Sequence, residues 1–152
     1  IDITPGQLSS SKRKLANTEN AKEFAKNLVR MNAEKLGYQD NSFDAVLIFF
    51  LLHELPPAVR RQVLSEVMRI IEPGGRLILT EYGERTKTHF FHWFPIARWI
   101  LGFFEPYVPG FIAEDFGDIL SECAEKHGKK VSYQGGSLIF KGFYRNVEFL
   151  VE

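Results

Sequence analysis

The 152-residue sequence contains one cysteine, Cys123. A lone thiol can form neither an internal disulfide nor a cysteine-based metal site, so the default expectation is a reducing compartment. Charge of one sign is not in excess either, because 19 Lys and Arg balance 19 Asp and Glu. No net field therefore argues for nucleic acid as a partner. A long hydrophobic run is also missing. The most apolar stretch, WFPIARWILGFF at residues 93–104, is interrupted by Pro95 and Arg98 and is too short to span a bilayer. Glycine is scarce at the start, Gly6 being the only one before Gly37. No internal repeat or low-complexity tract is visible.

Aromatic residues are plentiful. They make up 14% of the chain, with 14 Phe, many of them between Phe90 and Phe111. IDI at residues 1–3 reads as the end of a buried strand. Thr4 and Pro5 open a helix to about Ala16, with Gln7 placed for a capping box. A short helix is expected around residues 21–25 and a strand at residues 28–32. Residues 37–42, GYQDNS, are turn-rich. Residues 43–52, FDAVLIFFLL, form an unbroken apolar run, which predicts a strand covered on both faces. From Pro57, Val59, Val63, Leu64, Val67, Ile70 and Ile71 form one helical stripe that EPGG at residues 72–75 ends. RLILTEY at residues 76–82 predicts another buried strand. A helix over residues 113–127 stops at Gly128, and strands at residues 129–134 and 144–151 close the chain. Buried strands alternating with helices predict an α/β, doubly wound, mostly parallel sheet with an antiparallel C-terminal edge hairpin.

In such sheets ligands bind beyond the carboxyl ends of the strands. Asp2 closes the first strand and offers a carboxylate to ribose hydroxyls; it equally suits a helix cap or turn. Asn32 and Ala33 close the second and suit an adenine edge, or simply a turn. His53 and Glu54 follow the third. A histidine there can act as a general base, with Glu54 orienting it or acting alone, or can be a hydrogen-bonded structural group. Glu81, Tyr82 and His92 are second-rank candidates.

The order NAEKLGYQDNSFDAVLIFFLLHELP followed by LSEVMRIIEPGGRLILTEY resembles the second half of the class I S-adenosylmethionine-dependent methyltransferases. Asn32-Ala33, Leu36-Gly37-Tyr38, Ser42-Phe43-Asp44, the Arg69 to Gly75 segment and the strand after it carry the resemblance, and IDIT matches the acidic strand that holds the cofactor ribose. The resemblance implies a Rossmann-like sheet and S-adenosyl-L-methionine as cofactor, held by Asp2, Ile3, Asn32, Ala33 and Phe49. It implies His53 and Glu54 as catalytic residues, His92, Trp93 and Tyr82 toward a substrate, and no metal. The family has Asp where this chain has Asn32, which keeps an acceptor and loses the charge.

The family's first strand and its glycine-rich turn are not matched. The expectation is therefore a single methyltransferase domain over residues 1–152, truncated at its N-terminus. Roughly fifty residues would precede Ile1, about the size of one strand–helix unit and a leading helix, and the 152 residues alone would be inactive.

The strings VLIFFLLHELPPAVRRQVLSEVMRIIEPGGRLILTEY, FFEPY and GSLIFKGFYRNV, with Asn32 in RMNA, are similar to the methyltransferase-related proteins of rhodoquinone biosynthesis. That similarity implies a small lipophilic, quinone-like substrate, with amination of a quinone from S-adenosylmethionine as an alternative to methylation. A non-catalytic partner subunit of the same fold is another alternative, and a nicotinamide-dependent oxidoreductase with a Rossmann sheet, in which Asp2 would also meet a ribose, is the third. Phe90, Phe91, Trp93, Phe94, Trp99, Phe103, Phe104 and Tyr107 would then form a lid or meet a membrane surface, as against packing into the core. The expected location is cytoplasmic, with peripheral contact at the inner membrane.

Overall fold

The computed structural model describes residues 1–16, 27–83, 94, 96, 99 and 103–152. The chain divides into two compact units, Ile1–Tyr38 and Gln39–Glu152.

In the first unit, helix α1 spans Pro5–Leu15, with Pro5 at its start, where a missing N–H costs nothing. Lys12, Arg13 and Lys14 crowd its last turn, where cations suit the helix dipole. Thr4 occupies the capping position, yet its side chain makes no capping bond. The expected capping box gives way to Asp2, whose Oδ1 accepts from the Thr4 amide at 2.6 Å. Of the strand expected at residues 28–32, the structure forms a single parallel bridge, Asp2 to Arg30. Its bonds run from Asp2 N to Val29 O at 3.2 Å and from Met31 N to Asp2 O at 3.1 Å. The helix expected around residues 21–25 lies outside the described residues.

The second unit is a four-stranded sheet with β1 at Phe43–Phe49, β2 at Ile71–Tyr82, β3 at Val131–Ile139 and β4 at Tyr144–Val151. The order is β1-β2-β4-β3. β1 pairs parallel with β2, while β4 runs antiparallel to both β2 and β3. The parallel pair with an antiparallel C-terminal edge is therefore as the sequence predicts. Helix α2 spans Pro57–Ile70 and connects β1 to β2; a short helix α3 covers Val108–Phe111, and α4 covers Phe116–Glu125.

The stripe read on α2 becomes core. Val63, Leu64, Val67, Met68 and Ile70 are buried against buried Leu77 and Leu79 of β2 and Ile119, Leu120 and Cys123 of α4. α4 starts later than expected because Ala113 and Glu114 still bond back to Gly110 and Phe111. Asp115 then caps it, its Oδ1 accepting from Gly117 N at 3.0 Å and Asp118 N at 3.3 Å. Past its end, the buried Lys129 reaches the other helix, its Nζ donating to the carbonyls of Met68 and Ile71 at the end of α2. Burial lowers the ammonium pKa from its ordinary value.

Two differences from expectation concern β1 and β2. The run at residues 43–52 was expected to be strand throughout, buried on both sides. It ends as strand at Phe49, and Leu47 and Phe49 are 61% and 64% exposed. Among the described residues, α2 and α4 cover only the opposite face, to which Ile48, Leu77 and Leu79 point. β2 begins five residues earlier than read, since EPGG is drawn into the strand as a bulge between the pairs Phe43–Ile71 and Ala45–Arg76. Glycine is required there at Gly75. A Cβ on it would stand 2.7 Å from the Ile71 side chain, 2.9 Å from Glu72 O and 3.0 Å from Asp44 O.

Candidate active site

The carboxyl end of β1 is shaped by an unusual backbone. Phe50 has φ of 48°, a left-handed conformation in a bulky residue, costing roughly 1–2 kcal/mol. Its amide is held by Thr80 O at 2.9 Å, and its ring packs edge-on to Tyr144 with centroids 4.9 Å apart. The reversal turns the chain out of the sheet into a single 3-10 turn, Leu52–Glu54.

That turn points His53 inward, 4% exposed, and leaves Glu54 exposed. The carboxylate that meets His53 therefore belongs to Glu81, the penultimate residue of β2, and not to its neighbour Glu54. Glu81 Oε2 lies 2.6 Å from His53 Nδ1. Its Oε1 accepts from the amides of Leu51 at 2.8 Å and Leu52 at 2.7 Å. Glu81 is 1% exposed, and these donors offset the cost of burying its charge. An ionised carboxylate only accepts, so Nδ1 is the protonated nitrogen, and in the neutral imidazole Nε2 then carries the lone pair.

An aromatic cluster surrounds the imidazole. Tyr82 packs edge-on to it at 4.7 Å, and Phe50 and Phe111 stand at 6.0 and 6.4 Å. Phe143 and Tyr144 extend the cluster behind Tyr82. Burial, reinforced by Tyr144 and nearby acids, pushes the Tyr82 phenol up to about 12. It stays protonated at neutral pH and is a donor there rather than a base.

Among the predicted residues, His53 and Tyr82 are brought together. Phe49 lies on the exposed face of β1, and His92 and Trp93 are outside the described residues. Sequence reasoning passed over Phe50, Phe111, Phe143, Tyr144 and Arg60, and it ranked Glu81 behind Glu54. The late string GFYRNV did contain two of these aromatics, but no periodicity marks them as neighbours of His53.

In the first unit, the parallel bridge sets Asp2 and Asn32 at the ends of adjacent segments. Asp2 Oδ1 is used by Thr4 N, whereas no hydrogen bond among the described residues engages Oδ2. Asn32 closes an Asx turn, its Oδ1 accepting from Glu34 N at 3.0 Å. Ile3 offers its carbonyl to Arg30 Nε at 3.0 Å, and Ala33 follows in the turn. A strand-end carboxylate with a spare oxygen, beside a turn of exposed backbone, fits a ribose and a base edge. Among the described residues, no cluster of His, Cys, Asp and Glu could hold a metal ion.

The profile of the methyltransferase domain family matches residues 1–79. The chain belongs to the methyltransferase domain family. S-adenosyl-L-methionine is the cofactor that membership implies. The chain is similar to a demethylmenaquinone methyltransferase of Bacillus mycoides, 36% identical over 90 residues, covering 59% of this chain and 36% of the relative. It is also similar to the ubiquinone/menaquinone biosynthesis C-methyltransferase UbiE of Hahella chejuensis, 43% identical over 59 residues, covering 39% of this chain and 23% of that one. This methyltransferase-family chain thus spans well under half the length of either. Among solved structures, a SAM-dependent methyltransferase from Methanosarcina mazei shares the fold, with a TM-score of 0.59 at 16% identity. The alignment covers 99% of this chain and 78% of that one.

Proposed function

We propose that this domain serves a S-adenosylmethionine-dependent methyltransferase acting on a small, lipophilic, quinone-like ring. The observation that carries the reading is the Glu81–His53 pair, enclosed by aromatic side chains where the parallel strands β1 and β2 end. Two relatives, one named a demethylmenaquinone methyltransferase and the other a ubiquinone/menaquinone biosynthesis C-methyltransferase, support the substrate class.

When bound, the cofactor supplies an electrophilic methyl group. Asp2 would accept hydrogen bonds from the ribose, and Asn32 with the Ala33 backbone would meet the adenine. A ring nucleophile must lose a proton as it is methylated. His53 Nε2 would take that proton, and Glu81 would stabilise the imidazolium through Nδ1–H. At 4% exposure His53 serves only a substrate that enters the aromatic cluster, which selects flat, apolar rings and excludes water. Tyr82, fully protonated, would donate to a ring oxygen. Glu54 remains a second carboxylate on the same turn.

Trp99, Phe103 and Phe104, each 75% exposed, support the reading that the protein meets a membrane surface where such quinones dissolve. The test is product analysis after incubating the full-length protein with S-adenosylmethionine and demethylated quinone precursors, beside calorimetry with S-adenosylhomocysteine and with NADH. A methylated ring and S-adenosylhomocysteine binding are expected. An aminated ring would move the assignment to the rhodoquinone-forming chemistry. Binding of neither nucleotide, with no product, would overturn the enzymatic reading in favour of a partner subunit.

A further inference from the structure

Arg60 is buried to 1% exposure within the apolar stripe of α2. A guanidinium in such a place is costly unless every donor is used, and an apolar side chain of similar volume would serve packing as well or better. Its donors have a common target. Nε donates to Leu52 O at 3.0 Å and one terminal nitrogen to Leu55 O at 3.0 Å. These are the first residue of the 3-10 turn that carries His53 and the residue just after it. The other terminal nitrogen pairs with Glu114, and the guanidinium carbon lies 4.9 Å from the centre of the Phe111 ring, itself packed against His53. The turn is therefore gripped from two sides. Glu81 takes its amides, at Leu51 and Leu52, while Arg60 takes its carbonyls, at Leu52 and Leu55.

We propose that Arg60 is a positioning residue: with Glu114 as its anchor, it fixes the 3-10 turn so that the His53 imidazole stays aligned on Glu81. The proposal rests on the assignment of His53 as the base, yet the alignment itself can be read without turnover. Lysine is a poor substitute, since a single point charge cannot present the planar fork that reaches both carbonyls and the carboxylate.

The experiment compares, in the full-length protein, wild type, Arg60→Met, Arg60→Lys and Glu114→Gln. It reads the nitrogen resonances of the His53 imidazole by NMR, S-adenosylhomocysteine affinity by calorimetry, and turnover across pH. Wild type should show one tautomer, protonated at Nδ1. Arg60→Met should show mixed tautomers and about a hundredfold lower turnover, the scale expected of a reacting group misplaced by about 1 Å, with cofactor affinity unchanged. Arg60→Lys should recover part of the loss. If Arg60→Met does not fold, Glu114→Gln must show the same mixed tautomers for the proposal to stand. His53 resonances that match wild type in the folded variants would overturn it, whatever happens to melting temperature or turnover. A wild type that turns over no quinone but shows the Arg60-dependent tautomer would sink the functional reading and leave the positioning role intact.

Discussion

Glu81 and His53 lie 28 positions apart in sequence, and a carboxylate oxygen of the first sits 2.6 Å from Nδ1 of the second, both out of solvent. Glu81→Gln keeps the shape and reverses the chemistry. The amide oxygen can still accept from Leu51 and Leu52, and its NH2 then faces Nδ1, which must give up its proton. Nε2 becomes the protonated nitrogen and the outward acceptor is lost. Turnover should fall about a hundredfold, with about 1–3 kcal/mol of stability lost. Denaturant titration and steady-state assays measure the two effects separately.

The Tyr82 phenol titrates near 12 in the folded chain, held up by burial, against 10.0 in its ordinary setting. The folded state therefore keeps this proton after the unfolded chain has lost its own. The stabilisation is fully present below pH 10 and is lost as pH rises toward 12, amounting to about 2–3 kcal/mol for a shift of this size. Urea unfolding from about pH 9 to about pH 12 should show Tyr82→Phe losing less stability than wild type. Parallel slopes for the two proteins would contradict the assignment.

Gly75→Ala places a methyl group between the Ile71 side chain and two backbone oxygens, those of Glu72 and Asp44. The oxygens belong to the bulge and to β1, so neither can swing away. A stability loss of about 1–3 kcal/mol is expected, read as a lower denaturant midpoint at constant slope.

Asp2→Asn separates two tasks of one carboxylate. The amide oxygen can keep the bond to Thr4 N, so the entry to α1 should survive. The second oxygen becomes a donor and no longer accepts from a ribose hydroxyl. S-adenosylhomocysteine affinity should drop about tenfold, or about 1.4 kcal/mol, with the thermal midpoint unchanged. Equal affinity by calorimetry would remove Asp2 from the cofactor contacts.

Much of the architecture was legible residue by residue. The valine–leucine stripe of α2 carries a helical period that burial enforces, and the apolar strings beginning at Phe43 and Arg76 each became a strand, the first shorter and more exposed than expected. The boundaries that moved did so for one non-local and one local reason. EPGG joined β2 because Phe43 supplies a partner for Ile71, and α4 waited for Asp115 because the preceding turn still held Ala113 and Glu114. The candidate site was half visible. His53 stood out as a histidine at a strand end, and Asp2 as a carboxylate at another.

The sequence by itself determined the alternation of strands and helices, the antiparallel tail and the strand ends at which chemistry could occur. Those follow from hydrophobic spacing and from turn residues, which act over a few positions. Only the tertiary structure decided that Glu81 rather than Glu54 meets His53, because a reversed Phe50 backbone and one 3-10 turn send adjacent side chains in opposite directions. It alone revealed Arg60 beneath the same turn. Its donors are matched by carbonyls and a carboxylate up to 54 residues away, and no local pattern records a partner at that distance.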